Sequence, residues 1–275
     1  MLVSFKEILN IAMEGKFALP AFNVYNMETV MGIIEAAEEA KAPVIIQSYS
    51  RLFTNGEGYY VSPVVLAAAK KASVPVCFHL DHGAGLNEVT KALRYGATGI
   101  MIDKSALELE ENIAETKKIV DMCAAVGVQV EGELGHIGSV NDDSMAEYTD
   151  VDEAKKFIDE TGVAALAILV GTAHGRYKKA PVLDIKRIKD IAEATKTPLV
   201  LHGGSGVPDD QITAAIEAGI RKINFGTDVC YSFLDKVFET SRDLIAIDLF
   251  MKDAIKNVKA FALEKIKLLG AENKA

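Results

Sequence analysis

The sequence predicts an α/β protein, a single (β/α)8 TIM barrel over residues 1–275 with an extra C-terminal helix. Three observations carry that expectation. Short apolar runs alternate with helical patterns along the whole chain, the runs number eight, and no Pro-rich, low-complexity or charge-blocked stretch divides them. Because the runs are apolar throughout, they imply a parallel sheet covered on both faces. Eight such units in about 230 residues fit a barrel better than a doubly wound sheet, which uses fewer strands.

The first run, ALPAFNV (18–24), is followed by the helical METVMGIIEAAEEAK, and the second is PVIIQS (43–48). PVCFHL (75–80) precedes LNEVTKALRYG, and TGIMID (98–103) precedes ALELEENIAETKKIVDMCAAVG. VQVEGEL (128–134) leads to VDEAKKFIDETG, then come ALAILVG (165–171) and PLVLHG (198–203). PDDQITAAIEAG separates these from KINFG (222–226), and MKDAIKNVKAFALEKIKLLG supplies the extra amphipathic helix. The helical stretches place apolar residues three and four apart, and Gly96, Gly127, Gly162 and Gly219 act as stop signals.

Composition narrows the function. With 30 Lys plus Arg against 39 Asp plus Glu, the net charge is −9, which argues against a nucleic-acid footprint. The opening MLVSFKEILNIAMEGKF carries Glu7 and Glu14 and has no long apolar core, so no signal peptide is expected. No stretch approaches the roughly 18 uncharged apolar residues of a membrane span. Three widely spaced cysteines, Cys77, Cys123 and Cys230, suit reduced thiols. A cytoplasmic protein without membrane or nucleic-acid partners is expected.

In a barrel of this kind the active site forms at the C-terminal ends of the strands. There the runs end in His79-Leu80-Asp81-His82-Gly83, Asp103, Glu131 with Glu133, Gly171-Thr172-Ala173-His174-Gly175, His202-Gly203-Gly204-Ser205-Gly206 and Asn224-Phe225-Gly226-Thr227-Asp228. Four of the five histidines sit at these ends, and His136 follows the fifth run closely. His82, His174 and His202, each just past its run, make a three-imidazole site for a catalytic Zn²⁺ with one open position. His79 alternates with Asp81 and is expected to be buried one pleat below. Asp81, beside a ligand, suits a general acid/base, or else orients a His ligand. Asp103 and Glu133 are candidates for a second metal position or for acceptors that orient the ligands. The glycines at 203–206, with the helix opened by Pro208-Asp209-Asp210, and those at 224–228 suit an anion held by backbone N–H groups, with Lys178 as a nearby charge.

HLDHG, VEGELG, GTAHGRY, LVLHGGSG and KINFGTD, in this order and spacing, resemble the motif set of the class II, zinc-dependent ketose-bisphosphate aldolases, from ALPAFNVYNMET to the closing ALEKIKLLGAENKA. The resemblance implies a (β/α)8 barrel, one Zn²⁺ per subunit, a homodimer or homotetramer, and reversible cleavage of a ketose (bis)phosphate to dihydroxyacetone phosphate and an aldehyde through a zinc-stabilised enediolate. It places the ligands on His82, His174 and His202 and the aldehyde-side proton on Asp81. Phosphate and ketone contacts fall on Gly175, Lys178, Gly203, Ser205, Asn224 and Thr227, with Asn23 added from the first run. A monovalent cation near Gly175 is a further implication.

Three departures bear on substrate. Asn141 stands where the family's enediolate-handling Glu is expected, with Asp142, Asp143 or Glu147 as substitutes. IAIDLFMKDA lacks the Arg that reaches a neighbour's distal phosphate, and Gly226 replaces an Asp common in fructose-specific members. Either Lys252, Arg242 or Arg51 supplies the missing charge, or the substrate is a ketose 1-phosphate or a bisphosphate of different stereochemistry. A rival reading, isomerisation or epimerisation through the same enediolate, would need no aldehyde pocket.

Overall fold

Eight parallel strands close into a barrel in chain order: β1 (Leu19–Asn23), β2 (Val44–Tyr49), β3 (Val76–Gly83), β4 (Gly99–Ile102), β5 (Gln129–Leu134), β6 (Ala165–Ile168), β7 (Leu199–Leu201) and β8 (Ile220–Phe225), with β8 pairing back onto β1. The computed structural model describes residues 1–138 and 148–275. Asn141, Asp142, Asp143 and Glu147 lie outside the described residues.

Every apolar run forms a strand, because a strand buried on both faces must be apolar along its whole length. The ends differ. β3 runs past Leu80 to Gly83, while β6 and β7 stop at Ile168 and Leu201, before their predicted ends. There the backbone leaves the ladder, although Leu169 and Val170 stay buried. The helices start and stop on local chemistry. Asn26 Oδ1 accepts from the Thr29 N–H at the head of Met27–Ala40, Asp150 caps Val151–Thr161, and the predicted stop glycines all adopt positive φ.

Two helices outside the regular alternation cover the barrel wall. The extra helix Lys252–Leu268 brings Phe261 to 6.1 Å from both Phe22 of β1 and Phe225 of β8, closing an aromatic cluster over the β8–β1 seam. On another side the helix Phe5–Gly15 sets the Phe5 ring 4.6 Å from His79. His79 is fully buried two residues below Asp81, the depth the alternation predicts. Burial, reinforced by the charge of Lys222, brings its pKa down to about 3. No helix among the described residues is long and apolar enough to cross a membrane.

Candidate active site and metal centre

The upper mouth of the barrel holds a cavity of about 480 Å³ lined by Asp81, His82, His174, Gly203, Ser205 and Asn224, among others. A break in β3 shapes it. The pairing with β4 runs His79 to Gly99 and Leu80 to Ile100, then shifts so that Gly83 meets Ile102. His82 takes φ +49° at that bulge, so Asp81 and His82, neighbours that a regular strand would point to opposite faces, both line the cavity. Gly83 permits the turn, since a Cβ there would lie 2.6 Å from the Met101 carbonyl oxygen. His82 is therefore inside its strand, not past it.

Three imidazoles converge from three strand ends. The His82 ring lies 4.9 Å from His174 and 4.7 Å from His202, centroid to centroid, and each offers a nitrogen within 4.8 Å of the others. The far side of two rings is pinned by a carboxylate. His82 Nδ1 donates to Asp103 Oδ2 at 2.8 Å, and His202 Nε2 donates to Glu131 Oε1 at 2.9 Å. This leaves His82 Nε2 and His202 Nδ1 facing each other, while His174 Nε2 is buried without a partner. Oriented imidazoles backed by carboxylates, with an orphaned nitrogen beside them, are the donor set that a divalent metal of the zinc type requires. Asp103 thus serves as the acceptor that orients His82. Glu133 Oε2 has no hydrogen-bond partner and lies 3.7 Å from His202 Nδ1, and a second metal-competent group combines His82, Asp103 and Glu133.

Charge is distributed unevenly over the three rings. Burial disfavours a charged His82, but Asp81, Asp103 and Glu133 outweigh it and push its pKa up to about 10. Burial and then the His82 charge bring His174 down to about 4 and keep His202 well below the ordinary imidazole range. Against its burial, the bond from His82 holds the Asp103 carboxyl well below the usual carboxylate range. Burial, reinforced by Asp103, pushes Glu133 up to about 8.

Asp81 is held from both sides. Asn23 Nδ2 donates to its Oδ2 at 2.7 Å and Asn224 Nδ2 to its Oδ1 at 3.2 Å, while Gln47 Nε2 donates to Asn23 Oδ1 at 3.0 Å. Asn23 and Asn224, assigned above to substrate, line the cavity and also clamp the carboxylate. Gly175, Gly203, Ser205 and Thr227 line the cavity, and Thr227 opens the helix Thr227–Glu239. The start of that helix lines the cavity with its positive end, whereas Pro208, Asp209 and Asp210, at the head of the helix after β7, are not among the lining residues. Gly203 needs its lack of side chain: with φ +65°, a Cβ would come within 2.4 Å of the Ala173 oxygen. Gly226 backs onto Asn23, where a Cβ would sit 3.2 Å from Asn23 Oδ1.

Lys178 is exposed and does not line the cavity. Its neighbour Tyr177 turns inward, the hydroxyl accepting from Ala173 N–H and lying 2.9 Å from the Gly203 oxygen, so the next side chain points away. Arg242 and Lys252 are exposed and outside the cavity as well, but Arg51 lines it, 5.3 Å from the Tyr49 ring and 5.9 Å from Tyr25. Tyr25, Tyr49, His136 and Gly138 complete a wall that no motif announced. Lys222 and Gln47, both fully buried, were likewise missed. Lys222 had a readable signal, since a charged residue within a buried strand must meet a partner of opposite charge.

The model of the family described as fructose-bisphosphate aldolase class-II matches residues 3–274. The chain belongs to the class II fructose-bisphosphate aldolase family. It is 40% identical over 279 residues to the uncharacterized protein YdjI of Escherichia coli K12, covering all of both chains. The crystal structure of the YdjI aldolase superposes with a TM-score of 0.91 at 39% identity and full coverage of both. A putative fructose-1,6-bisphosphate aldolase from Coccidioides immitis gives 0.90 at 28% identity, covering 98% of this chain and 96% of that one. Fructose-bisphosphate aldolase of Campylobacter jejuni gives 0.84 at 23% identity over 100% and 97% of the two chains, a likeness of fold alone.

Proposed function

We propose that this member of the family is a zinc-dependent aldolase that reversibly cleaves a phosphorylated ketose to dihydroxyacetone phosphate and an aldehyde. The observation that carries the reading is the pairing, at one bulge, of a carboxylate clamped by two amides with an imidazole that faces two others. His82, His174 and His202 hold the metal. When bound, a divalent ion supplies Lewis acidity toward the carbonyl and hydroxyl oxygens of the substrate. Glu133, with its free oxygen, offers a further ligand, and a monovalent cation near Gly175 is the family's further implication.

The chain's own groups do the rest. The Gly203–Ser205 loop, Thr227 and the positive end of its helix bind the phosphate nearest the ketone. Asp81 takes the proton from the C4 hydroxyl as the C3–C4 bond breaks and returns it on condensation. Asn23 and Asn224 aim it, since each donates an N–H and leaves the carboxylate's remaining lone pairs to accept from substrate. Asn224 also stands where it can donate to the ketone side. The cavity continues past Asp81 to Tyr25, Tyr49 and Arg51, which gives the aldehyde half a place and favours cleavage over isomerisation. Arg51, the one Arg or Lys among the described lining residues, takes the distal phosphate of a bisphosphate in place of the missing Arg.

Two further parts of the reading rest on the family. The protein works in the cytoplasm as a homodimer or homotetramer, a state supported by the exposure of Phe238 (80%) and Ile245 (89%) and checked by light scattering on a sizing column. The decisive experiment measures dihydroxyacetone phosphate release from fructose 1,6-bisphosphate, tagatose 1,6-bisphosphate and fructose 1-phosphate, with EDTA and after zinc restoration. Zinc-dependent release from any of them supports the reading. No release from all three overturns it.

A further inference from the structure

Beneath the mouth lies a charge that the proposed chemistry does not use. Lys222 of β8 is fully buried, two residues below Asn224 on the same face of the strand. Its ammonium donates to Asn224 Oδ1 at 2.7 Å and stands 2.9 Å from Glu131 Oε2. An ammonium has donors only. The amide of Asn224 must therefore turn its oxygen toward Lys222, which leaves its N–H for Asp81. On the other side the ammonium forms an ion pair with Glu131 Oε2, an oxygen that accepts no hydrogen bond, while Oε1 accepts from His202. A single cation thus ends two chains of contacts, one leading to Asp81 and the other to His202.

Replacing a buried pair as a whole by apolar residues of similar volume is often neutral or stabilising, whereas removing one partner alone leaves an uncompensated charge and destabilises. The geometry of this pair is specific to both ends. Asp81's other oxygen is aimed by Asn23, whose amide is set by the neutral Gln47, so only the Asn224 arm is fixed by a charge.

We propose that Lys222 is a positioning residue that couples the two halves of the site, setting the donor that aims Asp81 and the carboxylate that orients His202. The inference rests on the proposed roles of those two residues. Without Lys222 the Asn224 amide is free to present its oxygen to Asp81, and Glu131 is free to swing from His202.

The test uses Lys222→Met, Asn224→Ala and the double variant, with circular dichroism as the check on folding. Zinc affinity is read by competition with a chromogenic chelator, and kcat and KM by dihydroxyacetone phosphate release. Lys222→Met is expected to lower both zinc affinity and kcat by roughly 10–100-fold. Asn224→Ala should lower kcat without changing zinc affinity. With zinc saturating, so that the Glu131–His202 arm no longer limits the rate, kcat in the double variant should fall no further than in Asn224→Ala alone, because Lys222 reaches Asp81 only through Asn224. Unchanged zinc affinity in Lys222→Met, or kcat losses that multiply, would overturn the proposal. If Lys222→Met does not fold, Lys222→Gln keeps an N–H for Asn224 without a charge for Glu131, and should spare kcat more than zinc binding; equal losses would count against the coupling. Should the wild-type protein release no dihydroxyacetone phosphate, the aldolase reading fails while the zinc measurement still decides the role of Lys222.

Discussion

His82 Nε2 and His202 Nδ1 stand 3.0 Å apart, and each ring's other nitrogen is committed to a carboxylate. With His82 pushed up to about 10 and His202 held low, a proton sits on His82 Nε2 and is donated to His202 Nδ1. A metal that takes both nitrogens must displace that proton, and the proton that Glu133 retains below about 8 is drawn off with it. Zinc binding at neutral pH is expected to release one to two protons, with apparent affinity rising roughly tenfold per pH unit for each. Calorimetry in two buffers of different ionisation enthalpy measures the number; zero protons would contradict the arrangement.

Asp81→Ala should lower turnover by roughly 10²–10⁴ while zinc stays bound, since the ligands are untouched. Steady-state kinetics beside metal analysis of the same sample checks both halves. A near-normal rate would remove Asp81 from the chemistry.

Arg51→Gln should cost roughly 10–100-fold in kcat/KM for a ketose bisphosphate, the worth of a hydrogen bond to a charged group. A ketose 1-phosphate should suffer much less, so the ratio of the two substrates is the quantity to follow. Equal losses would mean that Arg51 only braces Tyr25 and Tyr49.

Gly203→Ala forces a side chain into positive φ and against the Ala173 backbone. The expected cost is about 1–3 kcal/mol of stability, with a raised KM and unaltered metal content. Thermal melts and kinetics on the zinc-loaded protein read these together, and an unchanged KM would place the phosphate elsewhere.

The metal-free protein should be most stable near about pH 6. His79 and His174, lowered to about 3 and about 4, contribute stability that is complete above the unfolded value near 6.5 and lost as pH falls through theirs. His82 and Glu133, raised to about 10 and about 8, contribute stability that is complete below their unfolded values and lost as pH rises through theirs. Each limb is worth up to about 1.4 kcal/mol per pH unit per group. Urea midpoints of chelator-treated protein from pH 4 to 9 test the signs, and a midpoint that climbs steadily to pH 9 would contradict them.

The eight strands were legible because a parallel barrel leaves its strands no wet face, so each reads as a bare apolar run. The three facing histidines and Asp81 were legible because polar residues at such run ends have few structural uses. The bulge that turns His82 inward was not, since it depends on the shift between β3 and β4 and on a close pass by Met101. Lys178 misled for a related reason: Tyr177 claims the inward position, and loop side chains follow no fixed period. The wall of Tyr25, Tyr49 and Arg51 comes from the loop after β1, the end of β2 and the short helix Ser50–Asn55 that follows it, where spacing carries no chemical signature.

The bulge in β3 has a bearing on how such a site changes over time. The group that moves a proton and a group that grips the metal are joined by one peptide bond, on a strand locked on both sides by its neighbours. Neither can drift without dragging the other, and a one-residue insertion or deletion there would remove both at once. Variation in what the protein accepts is therefore channelled to the loops around the mouth, which can be rewritten while the pair at 81 and 82 keeps its spacing.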